Sequence, residues 1–225
     1  DKQIELSVGV NKIGRPFYSL NYKTKPVIQT SFLGVVLKNT STLAAEFEIV
    51  NSTVSTVNEN WKPVLGEQNE IQNNYNQLVL ELFQKSSKRK MNIVFRLFNE
   101  GLAFRYEFPA QENLNYFVIS DEVTQFALVG DHKAFWIPGD YDSQEYVYNE
   151  TKLSQVDVSK LDMNNGIGMK GPMANSRIQS PVMMKSADGL YINIFEAAVV
   201  NYPIMHLELD TTTFLMQSHL VPNAI

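Results

Sequence analysis

The 225-residue chain contains no cysteine. That single absence excludes a disulfide framework, a thiolate metal site and a thiol nucleophile, and it leaves the redox compartment open. Positive charge is not in excess either: 19 Lys and Arg stand against 24 Asp and Glu, a net charge of -5 and a pI near 5.3. The electrostatic term that drives nucleic-acid association is therefore missing, and DNA and RNA are excluded as partners. No apolar run approaches the roughly 18 residues needed to cross a bilayer, and no signal peptide precedes the first alternating segment. The chain reads as soluble as given, and its start at Asp1 rather than Met has the look of a mature or engineered end. Charged residues are also sparse, at 19% against roughly 25% in an average soluble protein.

What the chain does hold is apolar and aromatic: 44% hydrophobic residues, with ten Tyr and thirteen Phe. That balance suits broad pleated surfaces packed face to face, and the length is enough to bury a substantial core. Period-two alternation starts at once, with Ile4, Leu6, Val8 and Val10 on one face and Glu5, Ser7 and Gly9 on the other. After the Gly14-Arg15-Pro16 turn it returns over Phe17 to Tyr22, then at Ala45, Phe47 and Ile49, and at Leu78, Leu80 and Leu82. The clearest unit is Met91 to Phe108. Two alternating runs flank Asn99-Glu100-Gly101, a three-residue loop in which Gly101 is expected in the left-handed position of a bulge.

Further strands are expected at Tyr116 to Ile119, Gln125 to Val129, Pro181 to Lys185 and Leu190 to Phe195, the last two joined by Ala187-Asp188-Gly189. Glu150 to Arg177 is less regular and holds Asn164-Asn165-Gly166-Ile167-Gly168, the pattern of a long loop or an excursion between sheets. No segment sustains a helical apolar period. The expectation is an all-β sandwich forming one domain over residues 1–225, since the strands after Pro181 are too few to build a core of their own.

Few residues point to chemistry. His132, His206 and His219 are scattered, with no HxH or HExxH spacing, and are expected in structural or surface roles. No nucleophile elbow, Walker loop or dinucleotide fingerprint is present, and Gly166-Ile167-Gly168 lacks the strand-to-helix context of a phosphate loop. Asp140-Tyr141-Asp142-Ser143-Gln144-Glu145 gathers three carboxylates without the spacing of an EF-hand, and a solvated acidic turn is the plain reading. Trp136 and Tyr141 beside it are candidates to stack on a sugar ring. Glu196 follows the apolar alternation of Leu190, Ile192 and Ile194 and precedes Ala197-Ala198-Val199-Val200. A carboxylate in such a run is costly to bury unless a cation, a donor or water meets it, so a solvent-facing strand end and a functional role are both open.

An ordered set of segments resembles the N-terminal domain of glycoside hydrolase family 97, over nearly all 225 residues. It comprises Arg15-Pro16-Phe17-Tyr18-Ser19-Leu20, Ser31-Phe32-Leu33-Gly34, Trp61-Lys62-Pro63-Val64-Leu65-Gly66-Glu67 and Asn74-Tyr75-Asn76-Gln77-Leu78. It continues with Phe95 to Tyr106, Asp121-Glu122-Val123-Thr124-Gln125-Phe126, Trp136-Ile137-Pro138 with Tyr141 and Glu145, and Phe195-Glu196-Ala197-Ala198. The resemblance implies a galactose-mutarotase-like β-supersandwich of two large, mainly antiparallel sheets. It also implies a catalytic (β/α)₈ barrel and a C-terminal β domain that lie outside this chain.

By the same resemblance the chain holds no catalytic residue, because the two carboxyls of glycoside hydrolysis belong to the barrel. Glu196 is implied as a calcium ligand of the full-length enzyme, the isolated domain binding the ion weakly or not at all. The implied partners are α-linked glucosides or galactosides and the barrel of the same polypeptide, and the implied location is periplasmic or secreted. An apolar docking face left exposed would favour self-association. Two rival readings are a free-standing carbohydrate-binding module with an aromatic platform at Trp136 and Tyr141, and an aldose epimerase, which needs a paired acid and base.

Overall fold

A computed structural model describes residues 3–141, 143–161 and 176–221. The strands, in chain order, are β1 (Ile4–Val10), β2 (Pro16–Tyr22), β3 (Lys25–Phe32), β4 (Val35–Leu37), β5 (Phe47–Trp61) and β6 (Ile71–Gln84). Next come β7 (Arg89–Leu97), β8 (Leu102–Glu107), β9 (Ile119–Glu122), β10 (Gln125–Leu128), β11 (Lys133–Trp136) and β12 (Asn149–Lys152). The last are β13 (Arg177–Gln179), β14 (Val182–Lys185), β15 (Tyr191–Ile194), β16 (Met205–Asp210) and β17 (Leu215–Leu220). The only helical pieces among the described residues are three-residue 3₁₀ turns at Glu112–Leu114, Leu153–Gln155 and Val158–Lys160. The protein is all-β, as its alternation predicts, and β1 with β2, β6 with β7, β14 with β15 and β16 with β17 pair antiparallel.

The chain divides into two compact units, each discontinuous in sequence. The first comprises residues 1–27 and 37–118. In it β1 and β2 form a hairpin with Ile4 opposite Tyr22 and Val10 opposite Pro16. A four-stranded meander, β5-β6-β7-β8, supplies most of the rest. Its centre is greasy on the inward rows: Leu82, Met91 and Ile93 are fully buried and Phe95 nearly so. Each such side chain contributes about 1.5–3 kcal/mol relative to exposure. Gln84, at the end of β6, is also buried, and its amide donates to the carbonyls of Thr42 and Ala45, both at 2.8 Å, so the inward polar group is satisfied.

The second unit comprises residues 28–36 and 119–225. Here Ile28 of β3 pairs with Leu128 of β10, and the order continues through β17, β16 and β13. A second sheet runs β12-β11-β14-β15, and β4 pairs with β9. Strict alternation in β14 and β15 buries Val182, Met184, Ile192 and Ile194 while exposing Met183, Lys185, Tyr191 and Asn193. Gly189 turns that hairpin at φ +88°, a conformation open to glycine and strained for other residues.

Several expectations need correction. The β7–β8 hairpin is real, but its loop has four residues, Phe98 to Gly101, closed by the Phe98 N–H donating to the Gly101 carbonyl at 2.9 Å. Gly101 does not take the left-handed conformation, because the extra residue lets the chain reverse without it. Tyr116 to Val118 is not strand: the 3₁₀ turn just before it delivers the chain to β9 only at Ile119. The stretch from Glu150 begins inside β12 and carries two 3₁₀ turns anchored by buried Leu153 and Val158. Asn164-Asn165-Gly166-Ile167-Gly168 lies outside the described residues.

Candidate functional site

Glu196 sits in the connection from Phe195 to Ile204, between β15 and β16. Leaving β15, the alternation that buries Ile192 and Ile194 would point residue 196 inward, but the strand ends and the side chain stops half-buried. Its Oε2 accepts the backbone N–H of Met205 at 3.0 Å, which ties the start of the connection to its end. Burial pushes the Glu196 carboxyl above its ordinary range, the Met205 hydrogen bond pulls it back, and the nearby charge of Glu122 pushes it up again. The Met205 N–H offsets part of the desolvation cost that this half-buried carboxylate carries.

A second carboxylate, Glu122 at the end of β9, lies within electrostatic reach. Its Oε1 accepts from the Thr124 hydroxyl and its Oε2 from the Tyr202 hydroxyl at 2.8 Å. Burial raises this carboxyl too, with the two hydroxyls lowering it and Asp121 raising it further. The phenol of Tyr202 is driven upward by burial and by Glu122, so it stays protonated as a donor. Asp121 accepts the Leu220 N–H at 3.1 Å and faces His219 Nδ1 at 3.3 Å. Neither Glu122 nor Tyr202 was legible as a site residue. Glu122 stands among polar neighbours, and its phenol partner is 80 residues away, a separation without any spacing signal.

Glu196 offers hard carboxylate oxygen, the donor type that suits Ca²⁺. The ion takes six to eight oxygens, and among the described residues no group of three or more His, Asp or Glu is arranged to hold a metal. A single carboxylate such as Glu196 falls short of that number.

The remaining candidates fall into place as structure. Trp136 is 1% exposed and its indole N–H donates to the Thr151 hydroxyl at 2.9 Å, so it cannot form a sugar platform; Tyr141 is exposed. The acidic segment is not a solvated turn throughout. Asp140 is buried, accepting from the Ser143 N–H and the Tyr146 hydroxyl, whereas Glu145 is exposed and Asp142 lies outside the described residues. Gln179 clamps the same turn through its amide, donating to the carbonyls of Pro138 at 2.9 Å and Ser143 at 2.7 Å. A Cβ on Gly139 would lie 3.0 Å from both Arg177 Cγ and His206 Nδ1. His206 itself is 1% exposed and is pulled down to about 4 by burial, then by the charges of Arg177 and His219, with Asp140 opposing. His132 is buried as well. On the outer face of β11, β14 and neighbouring segments, Phe135, Tyr148, Pro181, Met183 and Asn193 line an open apolar groove of about 370 Å³.

Comparison with known proteins adds the context. The family model described as Glycosyl-hydrolase 97 N-terminal matches residues 1–221. A solved family 97 glycoside hydrolase from Pseudoalteromonas sp. strain K8, in complex with acarbose, superposes with a TM-score of 0.82 at 28% identity, over 98% of this chain and 31% of that one. A β-arabinopyranosidase shares the fold at a TM-score of 0.81 and 18% identity, over 97% of this chain and 34% of its own. The retaining α-galactosidase of Bacteroides thetaiotaomicron is 23% identical over 202 residues, 84% of this chain and 27% of that protein. The fold and these matches define an all-β domain of the kind that glycoside hydrolases carry. More particularly, the chain belongs to the N-terminal domain family of glycoside hydrolase 97. It spans roughly a quarter to a third of the length of the relatives it matches.

Proposed function

We propose that the chain is the N-terminal domain of a calcium-dependent, exo-acting α-glycosidase, periplasmic or secreted, whose hydrolysis is carried out by a (β/α)₈ barrel in the same polypeptide. In this reading the domain walls one side of the substrate pocket, helping exclude water from the reacting centre, and lends Glu196 to the calcium site. The observation that carries it is the half-buried Glu196 carboxylate, placed at the end of β15 and held there by the Met205 N–H at 3.0 Å, with desolvation raising it. A bound calcium ion would orient an α-linked glucoside or galactoside and stabilise charge as the glycosidic bond breaks. Glu196 holds one of its donor positions, and Met205 fixes which carboxylate oxygen is left for it.

The test is calorimetric titration of Ca²⁺ and maltose into the 225-residue chain, into the polypeptide extended through the barrel, and into the extended Glu196→Gln variant. Calcium binding by the extended wild type alone supports the shared site; unchanged binding in Glu196→Gln refutes it. A second reading, a carbohydrate-binding module, draws on the apolar groove at Phe135 and Tyr148 rather than on Trp136. Maltose binding by the short chain, lost in Phe135→Ala, would favour it.

A further inference from the structure

We propose that Glu122 is a positioning residue for Glu196, acting with Tyr202 as a strut that holds the Phe195–Ile204 connection in the shape presenting the Glu196 carboxylate to a hard cation. This rests on the reading of Glu196 as a cation ligand and adds a supporting layer that the ligand alone does not require.

The connection is ten residues long and has no strand ladder of its own. Much of it faces outward: Phe195 is 62% and Val200 75% exposed, so packing does little to fix it. Among the described residues, three polar ties hold it. The Glu196 carboxylate accepts from Met205, the Ile204 carbonyl accepts the Val221 N–H at 3.0 Å, and the Tyr202 hydroxyl donates to Glu122 Oε2 at 2.8 Å. The first two tie the loop at its ends. The third reaches its body.

Glu122 is suited to that task because it is itself held from behind. The Ser218 hydroxyl donates to the Glu122 carbonyl at 2.7 Å, and the Ser218 N–H to the Thr124 carbonyl at 2.8 Å. Thr124 in turn donates its hydroxyl to Glu122 Oε1. The base of the strut is thus fastened to β17, in the interior of a sheet, and its tip grips the loop. Keeping a half-buried carboxylate beside Asp121, within reach of Glu196, carries an electrostatic cost that this grip offsets. Outer partners that orient a ligating group typically change metal affinity about 10–100-fold when removed.

The experiment is calorimetric titration of Ca²⁺ into the full-length polypeptide carrying this domain, with Glu196→Gln, Tyr202→Phe, Glu122→Ala, Glu122→Gln and the Tyr202→Phe/Glu122→Ala double variant, and with far-UV dichroism and thermal unfolding of each metal-free variant. Tyr202→Phe and Glu122→Ala are each expected to weaken Ca²⁺ binding about 10–100-fold, and the double variant no further than either, because the two act as one unit. Glu122→Gln is expected to keep affinity close to that of the wild type: its amide oxygen accepts from Tyr202 while its NH₂ donates to the Thr124 hydroxyl. That rescue separates geometry from charge. If Glu122→Gln loses as much affinity as Glu122→Ala, or if Tyr202→Phe binds like wild type while Glu196→Gln does not bind, the strut is overturned and the ligand reading stands. Unchanged affinity in Glu196→Gln, or no binding by wild type, removes the ligand reading and the strut together.

Discussion

Replacing Gly14 by alanine tests whether the first unit depends on one backbone position. Gly14 follows β1 at φ +72°, in a turn braced by the Asn11 side chain, whose oxygen accepts the N–H groups of Ile13 at 3.1 Å and Arg15 at 2.9 Å. An L-residue there costs about 1–2 kcal/mol from the left-handed conformation alone. The new Cβ would also lie 2.4 Å from Phe47 N and 2.7 Å from Glu46 C and Phe47 O, all backbone atoms without a flexible end to swing away. Relief requires separating two segments joined by Glu46 N–H to the Ile13 carbonyl and Phe47 N–H to the Gly14 carbonyl, each 3.0 Å. At about 0.5–1.5 kcal/mol per hydrogen bond, the total loss is roughly 2–5 kcal/mol, or about 4–20 °C in Tm for a chain of this size. Gly101→Ala is the control, with no atom within 4 Å of the added Cβ and no positive φ; it should be neutral or slightly stabilising. Urea unfolding of both variants beside wild type reads the difference. A loss below about 1 kcal/mol for Gly14→Ala, or one equal to that of Gly101→Ala, would refute the argument.

Trp136→Phe should lower stability by about 2–3 kcal/mol by urea unfolding, since it empties volume at a 1% exposed site and leaves the Thr151 hydroxyl without its indole donor. His206 makes stability fall with acid. Its folded-state value, pulled down to about 4, lies below the ordinary 6.5, so the unfolded chain takes up a proton that the native one refuses. The contribution is complete above pH 6.5 and is lost toward pH 4, on the order of 3 kcal/mol. Glu122 and Glu196, both raised, act with the opposite sign, so the quantity to measure is the wild-type curve minus that of His206→Gln; a flat difference between pH 7 and 4 contradicts the assignment. The exposed Lys85–Glu48 pair should matter little: Lys85→Ala is expected to change stability by less than about 1 kcal/mol, and a larger effect in a chemical-denaturation comparison would show the pair to be more than a surface contact.

Strands with one wet face and one dry face were readable from the chain. Ile4 to Val10 matches β1 end to end, and the two halves of the Met91 to Phe108 hairpin match β7 and β8 to within two residues. Where both faces share a character the alternation vanishes. Most of β5 beyond Ile49 is exposed on both sides, so a fifteen-residue strand left a trace only at its first positions. In β16, Met205, His206 and Leu207 are buried in succession, and in β17 the inward Ser218 replaces an apolar residue, so neither showed a period of two. The site divides in the same way. Glu196 was visible because a carboxylate interrupts an apolar run, whereas Glu122 and Tyr202 acquire meaning only through a contact across 80 residues. Trp136 drew attention for its ring, yet ring chemistry cannot tell a buried indole from an exposed one.

The pairing of Ile28 with Leu128 bears on how the protein is made. Residues 28–36 belong to the second unit yet are synthesised in the middle of the first. On a ribosome adding roughly 5–20 residues per second, this segment waits some 5–20 seconds for a partner that lies 100 residues downstream. Until then the edge of β3 that pairs with β10 in the folded sheet has no partner. No single cut in the gene separates the two units, and a break near residue 118 would leave the later half without Ile28 to Val36, the segment it must borrow from the earlier one.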